Sequence, residues 1–322
     1  ELTIPSSPAG AMPVLEGRAT LSWRHRQADG RTLSTIAISN AATCEVGTAK
    51  SNPAICLFQV SLDCAVESGR IYPYPESSAA NASEEELELE LRYRSRSTYA
   101  IGHGTSASWE SSKGPTRVWS ESLPTELVPA IRARESTSPF LELRKLASED
   151  LPLATLAAGL REFTSNYQSW TAEQEFSARN ASPRHARAAS ALVERQAGML
   201  ARMEAGITLL EENATVLTAF RMANEAMRTQ MRQQGLVRES PGVLGAPLPV
   251  VEQTAKEPRW HPFQLGFILG AIASTVDASH PDRDVVDLIW FPTGGGKTEA
   301  YLGLAAIEMI RRRLSSGTRG GG

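Results

Sequence analysis

The sequence has few of the residues that build covalent or metal-held scaffolds. Its 322 residues include three cysteines and five histidines. Cys44, Cys56 and Cys64 cannot all pair with one another, and their spacing fits no zinc pattern. Cys56 lies in an apolar run, so buried or free thiols in a reducing compartment are expected. The histidines are far apart and form no His-x-x-x-His pair, which leaves a metal-hydrolase reading without support. No Gly-x-Ser-x-Gly elbow is present. No stretch reaches the roughly 18 apolar residues of a membrane helix, and the first residues lack the basic-then-apolar pattern of a signal peptide. No membrane association is expected. Charge of one sign is also lacking: 33 Lys+Arg stand against 36 Asp+Glu, a net charge of -3. That excludes a strongly basic chain but leaves room for a local basic groove. With 41% hydrophobic and 21% charged residues, collagen-like, wholly disordered and disulfide-scaffold classes are excluded.

The length allows two or three domains, and the composition changes along it. Residues 1–146 read as a β-rich domain. Ile55 to Val66 is a β-branched and aromatic run ended by Glu67-Ser68-Gly69. Leu87, Leu89, Leu91 and Tyr93 alternate with Glu88, Glu90, Arg92 and Arg94, which predicts a half-buried strand. Residues 147–235 read as a helical domain. Leu192, Met199, Met203 and Leu210 recur at near-helical spacing, continued by Leu217, Phe220, Met227 and Met231. Such a methionine stripe is more often core than a flexible partner surface. Residues 236–258 are rich in proline and glycine and read as a linker. Residues 259–322 read helix, loop, strand, glycine turn, helix. Phe263 to Ala273 is an apolar helix, and Val285 to Phe291 an apolar strand. Thr298 to Leu314 is a helix with Leu302, Ala305, Ala306, Met309 and Ile310 inward. The fold class expected is therefore α+β at the front, followed by the start of an α/β RecA-like P-loop domain. The chain begins at Glu1 and ends on Gly320-Gly321-Gly322, inside that last domain, so it is expected to be the front part of a longer protein.

The strongest chemical signal is Pro292-Thr293-Gly294-Gly295-Gly296-Lys297-Thr298, between the expected strand and helix. Successive glycines let backbone N–H groups converge on a phosphate with no Cβ in the way. A helix N-terminus adds favourable partial charge. Lys297 can reach the β- and γ-phosphates, and the Thr298 hydroxyl can hold Mg²⁺. ATP and Mg²⁺ are the expected ligands, with Thr293, Gly294, Gly295, Gly296, Lys297 and Thr298 as the cradle. The full P-loop pattern asks for glycine where Phe291 stands. Upstream, Phe263-Gln264 matches the aromatic-plus-glutamine element that precedes the P-loop in superfamily 2 helicases. In those enzymes the glutamine reads the adenine edge and the aromatic stacks on it. Arg92, Arg94 and Arg96 on a strand would form a short basic stripe for DNA phosphates, although Glu84 to Glu90 could neutralise it. Trp109 and Trp119 read as core residues.

Several segments together resemble the DrmA family, the large superfamily 2 helicases of the bacterial DISARM anti-phage system. They are Trp260 to Leu269, Asp287 to Pro292 and Gly296 to Leu302. Arg92-Tyr93-Arg94, Tyr99 to Gly104, Trp109 and the stretch Phe220 to Met227 are also similar. The resemblance implies a bacterial cytoplasmic protein that couples ATP hydrolysis to movement on DNA, single-stranded or at a single/double-strand junction. It implies a DrmB-like partner protein. The acidic ATPase motif, a second RecA-like domain and an arginine finger would follow Gly322, so hydrolysis would need those parts. Two other readings stay open. The front region could serve chiefly as a partner-binding or DNA-gating module, or the chain could be a P-loop NTPase without a nucleic-acid substrate.

Overall fold

The computed structural model describes residues 1–28, 30–43, 53–75, 82–111, 114–125, 136–239, 257–290 and 294–317. Among these residues it is a mixed α+β chain with two small antiparallel sheets at the front and seven α-helices, six of them after the last strand. Two compact units divide it, Glu1–Val128 and Pro129–Gly322.

In the first unit, β1 (Ala9–Val14), β2 (Ala19–Ala28) and β3 (Arg31–Asn40) form an antiparallel meander. Ala28 pairs with Arg31, which closes the β2–β3 hairpin tightly, with Gly30 at φ 70. Leu21 and Trp23 are buried on one face, opposite Ile38 and Ile36 across the ladder. Next come α1 (Glu84–Tyr93) and a second sheet of β4 (Asp63–Ala65), β5 (Ser106–Trp109) and β6 (Arg117–Glu121), with β6 in the middle. Arg117 forks the Asp63 carboxylate across this sheet and holds it below the usual carboxylate range. Trp119 donates its ring N–H to Glu121 at 2.7 Å, and Trp109 meets Tyr99 edge-on.

Two sequence expectations fail here, each for a local reason. Residues 87–93 form helix, not strand. Ser83 accepts from the Glu86 N–H, and Glu86 accepts from the Ser83 N–H at 2.8 Å, a reciprocal cap that starts α1. Three glutamates in the first turn favour the positive end of the helix, and leucine and glutamate are strong helix formers. The two-residue alternation therefore leaves Leu89 and Tyr93 about half exposed instead of lining one buried face. The second failure is the run from Ile55 to Val66. Pro53–Ile55 is a single 3-10 turn, Gln59 sits at φ 54, and only Asp63–Ala65 pairs as strand. A left-handed non-glycine residue breaks the extended path.

The second unit is helical: α2 (Leu143–Ala147), α3 (Leu153–Arg179), α4 (Ala186–Glu212), α5 (Ala214–Glu239), α6 (Pro262–Val276) and α7 (Lys297–Ser316). Only Asn213 separates α4 from α5, and its Oδ1 accepts the Val216 N–H at 3.1 Å. One apolar cluster runs through all of them. It joins Leu156 and Leu160 of α3, Ile207 and Leu210 of α4, Phe220 and Met227 of α5, Leu265 and Leu269 of α6 and Ile307 of α7. Each such side chain stabilises the fold by about 1.5–3 kcal/mol on burial. Gly206 lets α4 approach α6 closely, because a Cβ there would lie 2.1 Å from the Leu269 carbonyl oxygen. The methionine stripe belongs to this core: Met203 and Met227 are buried, with Met199 and Met231 packed against it. Helices expected in separate domains before and after residues 236–258 thus share one interior. The buried face of α7 is set by Ala300, Gly303 and Ile307, while Leu302 and Met309, expected inward, are 47% and 66% exposed.

Candidate phosphate-binding turn

Gly294 and Gly296 stand at φ 81 and φ 88, in the left-handed region that glycine alone enters without strain. Gly296 is the N-cap of α7, and no side chain caps that helix. A glycine N-cap brings no side-chain acceptor to the first N–H groups of the helix. Lys297 and Thr298 open the helix, Lys297 half-buried and Thr298 exposed. Phe291, Pro292 and Thr293 lie outside the described residues.

Gln264 is 2% exposed and holds this turn. Its Nε2 donates to the Gly296 carbonyl at 2.6 Å, and its Oε1 accepts the His261 N–H at 2.7 Å. A Cβ on Gly296 would lie 2.5 Å from Gln264 Nε2, so glycine is needed for contact as well as for φ. Sequence reasoning gave Gln264 the adenine edge to read; in the structure its amide lies against the turn. Both ends of its amide, however, are already engaged inside the protein. Phe263 is half-buried, with its ring stacked on His261 at 6.0 Å.

Trp260 anchors the start of this region. Its backbone N–H donates to the Leu141 carbonyl and the Leu143 N–H to that of Pro258, a short bridge closing on the 3-10 turn Pro139–Leu141. Its indole N–H donates to Asn224 Oδ1 at 2.8 Å, and Asn224 in turn donates to the Phe220 carbonyl. Both residues are about 3% exposed, so the polar groups are satisfied where water is excluded. Sequence reasoning missed this pair: nothing in the spacing links residues 36 apart.

Residues 285–290 lead towards the turn. They carry no strand pairing, contrary to expectation, although their exposure alternates from Val286 to Trp290 as in a strand. Val286, Leu288 and Trp290 are 91%, 85% and 73% exposed, while Asp287 and Ile289 face inward. The neighbour strand that a ladder requires is absent among the described residues. Arg202 of α4 holds Asp287 through two bonds of 2.7 Å, with Asp282 at 3.6 Å. These carboxylates raise the Arg202 pKa above its ordinary value, the hydrogen bond to Asp287 leading. A charge inside an apolar run needs a partner, and that was the legible clue to Asp287.

Arg92, Arg94 and Arg96 do not share a strand face. Arg92 lies in the last turn of α1, Arg94 is its C-cap with a bond to the Leu91 carbonyl, and Arg96 lies 6.0 Å from the Tyr93 ring. Among the described residues, no cluster of three or more His, Cys, Asp or Glu side chains could hold a metal, and no helix is long and apolar enough to cross a membrane.

The chain thus combines a strand-bearing front with a helical unit that presents a glycine turn at a helix N-terminus. No family model matches it. It is 31% identical over 233 residues to the DISARM protein DrmA of Bacillus paralicheniformis, a match covering 68% of this chain and 20% of that protein. The chain is therefore similar to a DISARM defence protein and is DrmA-like over that stretch. It spans about a fifth of the relative's length.

Proposed function

We propose that this chain is the nucleotide-binding front of an ATP-driven DNA motor, a superfamily 2 helicase or translocase of an anti-phage defence system. The observation that carries the reading is the turn before α7, where two left-handed glycines, Gly294 and Gly296, lead directly into Lys297 and Thr298 at the helix N-terminus. The N–H groups of the turn and of the first helical residues take phosphate oxygens. Lys297 places its charge on the β- and γ-phosphates, and Thr298 holds Mg²⁺. Gln264 acts as a positioning residue that fixes Gly296, with Phe263 beside it on α6. In this reading residues 259–322 open a RecA-like domain built onto the helices of 147–235. Hydrolysis further needs a group that positions the attacking water, and no residue of this turn supplies one. DNA, single-stranded or at a junction, is the track, and a DrmB-like protein is the partner.

The test has two arms. The chain should bind a fluorescent ATP analogue with Mg²⁺, and Lys297→Ala should abolish binding. In the intact protein, hydrolysis should rise with DNA and vanish in Lys297→Ala. Wild-type binding and turnover in that variant would sink the nucleotide assignment. Turnover indifferent to every nucleic acid would favour an NTPase without a nucleic-acid track.

A further inference from the structure

Among the described residues, the outer face of the first sheet is one-signed. In an antiparallel ladder, directly opposed residues share a face. Opposite pairs Arg24–Thr35, Arg26–Leu33 and Ala28–Arg31 therefore put Arg24, Arg26 and Arg31 together, on the face turned away from buried Leu21 and Trp23. Thr20, Ser22, Thr35 and Ser39 continue the same face. β1, β2 and β3 contain no Asp or Glu at all. A fourth arginine joins from outside the sheet: Arg31 and Arg70 both lie over the half-exposed Tyr72 ring, at 4.9 and 5.1 Å.

All four arginines are exposed, and none makes an ion pair or a side-chain hydrogen bond among the described residues. This contrasts with Arg117, Arg161, Arg202, Arg228 and Arg259, each held by a carboxylate. The chain carries more acidic than basic residues, so an acid-free face is not a product of overall composition. A merely solvated face mixes both signs, and gathering like charges costs energy unless an anion meets them. Arg24 and Arg26 stand two residues apart on one strand, about 6.6–6.8 Å, a repeat suited to a regular line of charges. Arginine forks and Ser/Thr hydroxyls are the groups that contact nucleic-acid phosphates.

We infer that the outer face of β2–β3, with Arg24, Arg26, Arg31 and Arg70 around Tyr72, is a docking surface for the phosphate backbone of a nucleic acid. It takes DNA as ligand from the reading above but does not depend on the nucleotide site. Binding is therefore measured without nucleotide, so that the glycine turn takes no part in the readout. Labelled duplex and single-stranded DNA are titrated with the chain across a salt series. For wild type, log K falls with log salt by about 0.9 per duplex phosphate neutralised. The variant Arg24→Gln/Arg26→Gln/Arg31→Gln should bind more weakly, with a slope shallower by about three, roughly one per arginine. Arg70→Gln, outside the sheet, should lower it by about one and keeps the test decisive if the triple variant misfolds. Unchanged affinity and slope in a folded variant would overturn the proposal. So would tighter binding to polyglutamate than to DNA, which would assign the face to an acidic protein.

Discussion

Gln264 and Gly296, 32 residues apart, are joined by a hydrogen bond of 2.6 Å from a side-chain amide to a helix-capping carbonyl. The bond ties the start of α6 to the start of α7. Its donor is buried, so removing it leaves the half-buried Gly296 carbonyl without this partner, while the N–H of exposed His261 turns to water. Such an orphan costs about 1–3 kcal/mol. Gln264→Ala is expected to lower the unfolding free energy by that order and to weaken ATP-analogue binding. Chemical denaturation and a binding titration on the same variant check both effects. Unchanged nucleotide affinity in a folded Gln264→Ala would show that the turn holds its shape without this bond.

Gly296 and Gly294 offer an internal comparison. Both stand at positive φ, but only Gly296 has a neighbour where a Cβ would go. Gly296→Ala should therefore be the worse substitution, adding displacement of Gln264 to backbone strain of about 1–2 kcal/mol. Gly294→Ala should show the strain alone. Melting temperatures of the two variants, side by side, give the order.

Arg202 holds Asp287 in an otherwise exposed segment. Replacing Arg202 by Met removes both 2.7 Å bonds while keeping most of the side-chain volume. Amide hydrogen exchange across residues 285–290 should then accelerate severalfold, with α4 itself little changed. Equal exchange in variant and wild type would mean that the neighbouring contacts alone fix the segment.

Glu308 accepts from Arg311 and Arg312, and these guanidiniums hold its pKa below the ordinary glutamate value. A carboxylate depressed in the folded state stabilises fully above its unfolded pKa, and that contribution is lost as pH falls through the folded value. Stability should therefore drop on acidification below the ordinary glutamate range. Glu211, depressed by Arg161, acts with the same sign. Glu308→Gln should flatten the acid limb by about 1 kcal/mol. Urea midpoints from neutral to acid pH measure it.

The helices were legible where burial and periodicity agree. The spacing of Met203, Leu210, Phe220 and Met227 marked one interior stripe, and the apolar run after Phe263 marked another. The sequence did not show that these stripes meet, because the contact between α4 and α6 depends on the missing Cβ atoms of Gly206 and Gly270. Alternation misled at Leu87 to Tyr93, since leucine and glutamate at every second position also suit a helix. The decisive sign was Ser83 followed by Glu86, a cap written in four residues. At the candidate site, the glycines, Lys297 and Gln264 were visible as a motif. The internal use of both ends of the Gln264 amide was not, because hydrogen-bond partners distant in sequence leave no spacing to read. The unpaired basic face of β2–β3 was hidden for a related reason: it exists only once hairpin register sets Arg31 beside Ala28.

The shared interior of α3 to α7 makes the glycine turn part of a single thermal transition. A ligand that binds only the folded turn at a hundred times its dissociation constant adds about 2.7 kcal/mol. That gain cannot stay with α7, because Ile307 melts only when Leu269, Ile207 and Phe220 lose their packing. Heat-capacity scans should register nucleotide as a shift of the whole helical transition. Occupancy of a few backbone N–H groups would then be readable as the heat resistance of helices that begin more than a hundred residues earlier in the chain.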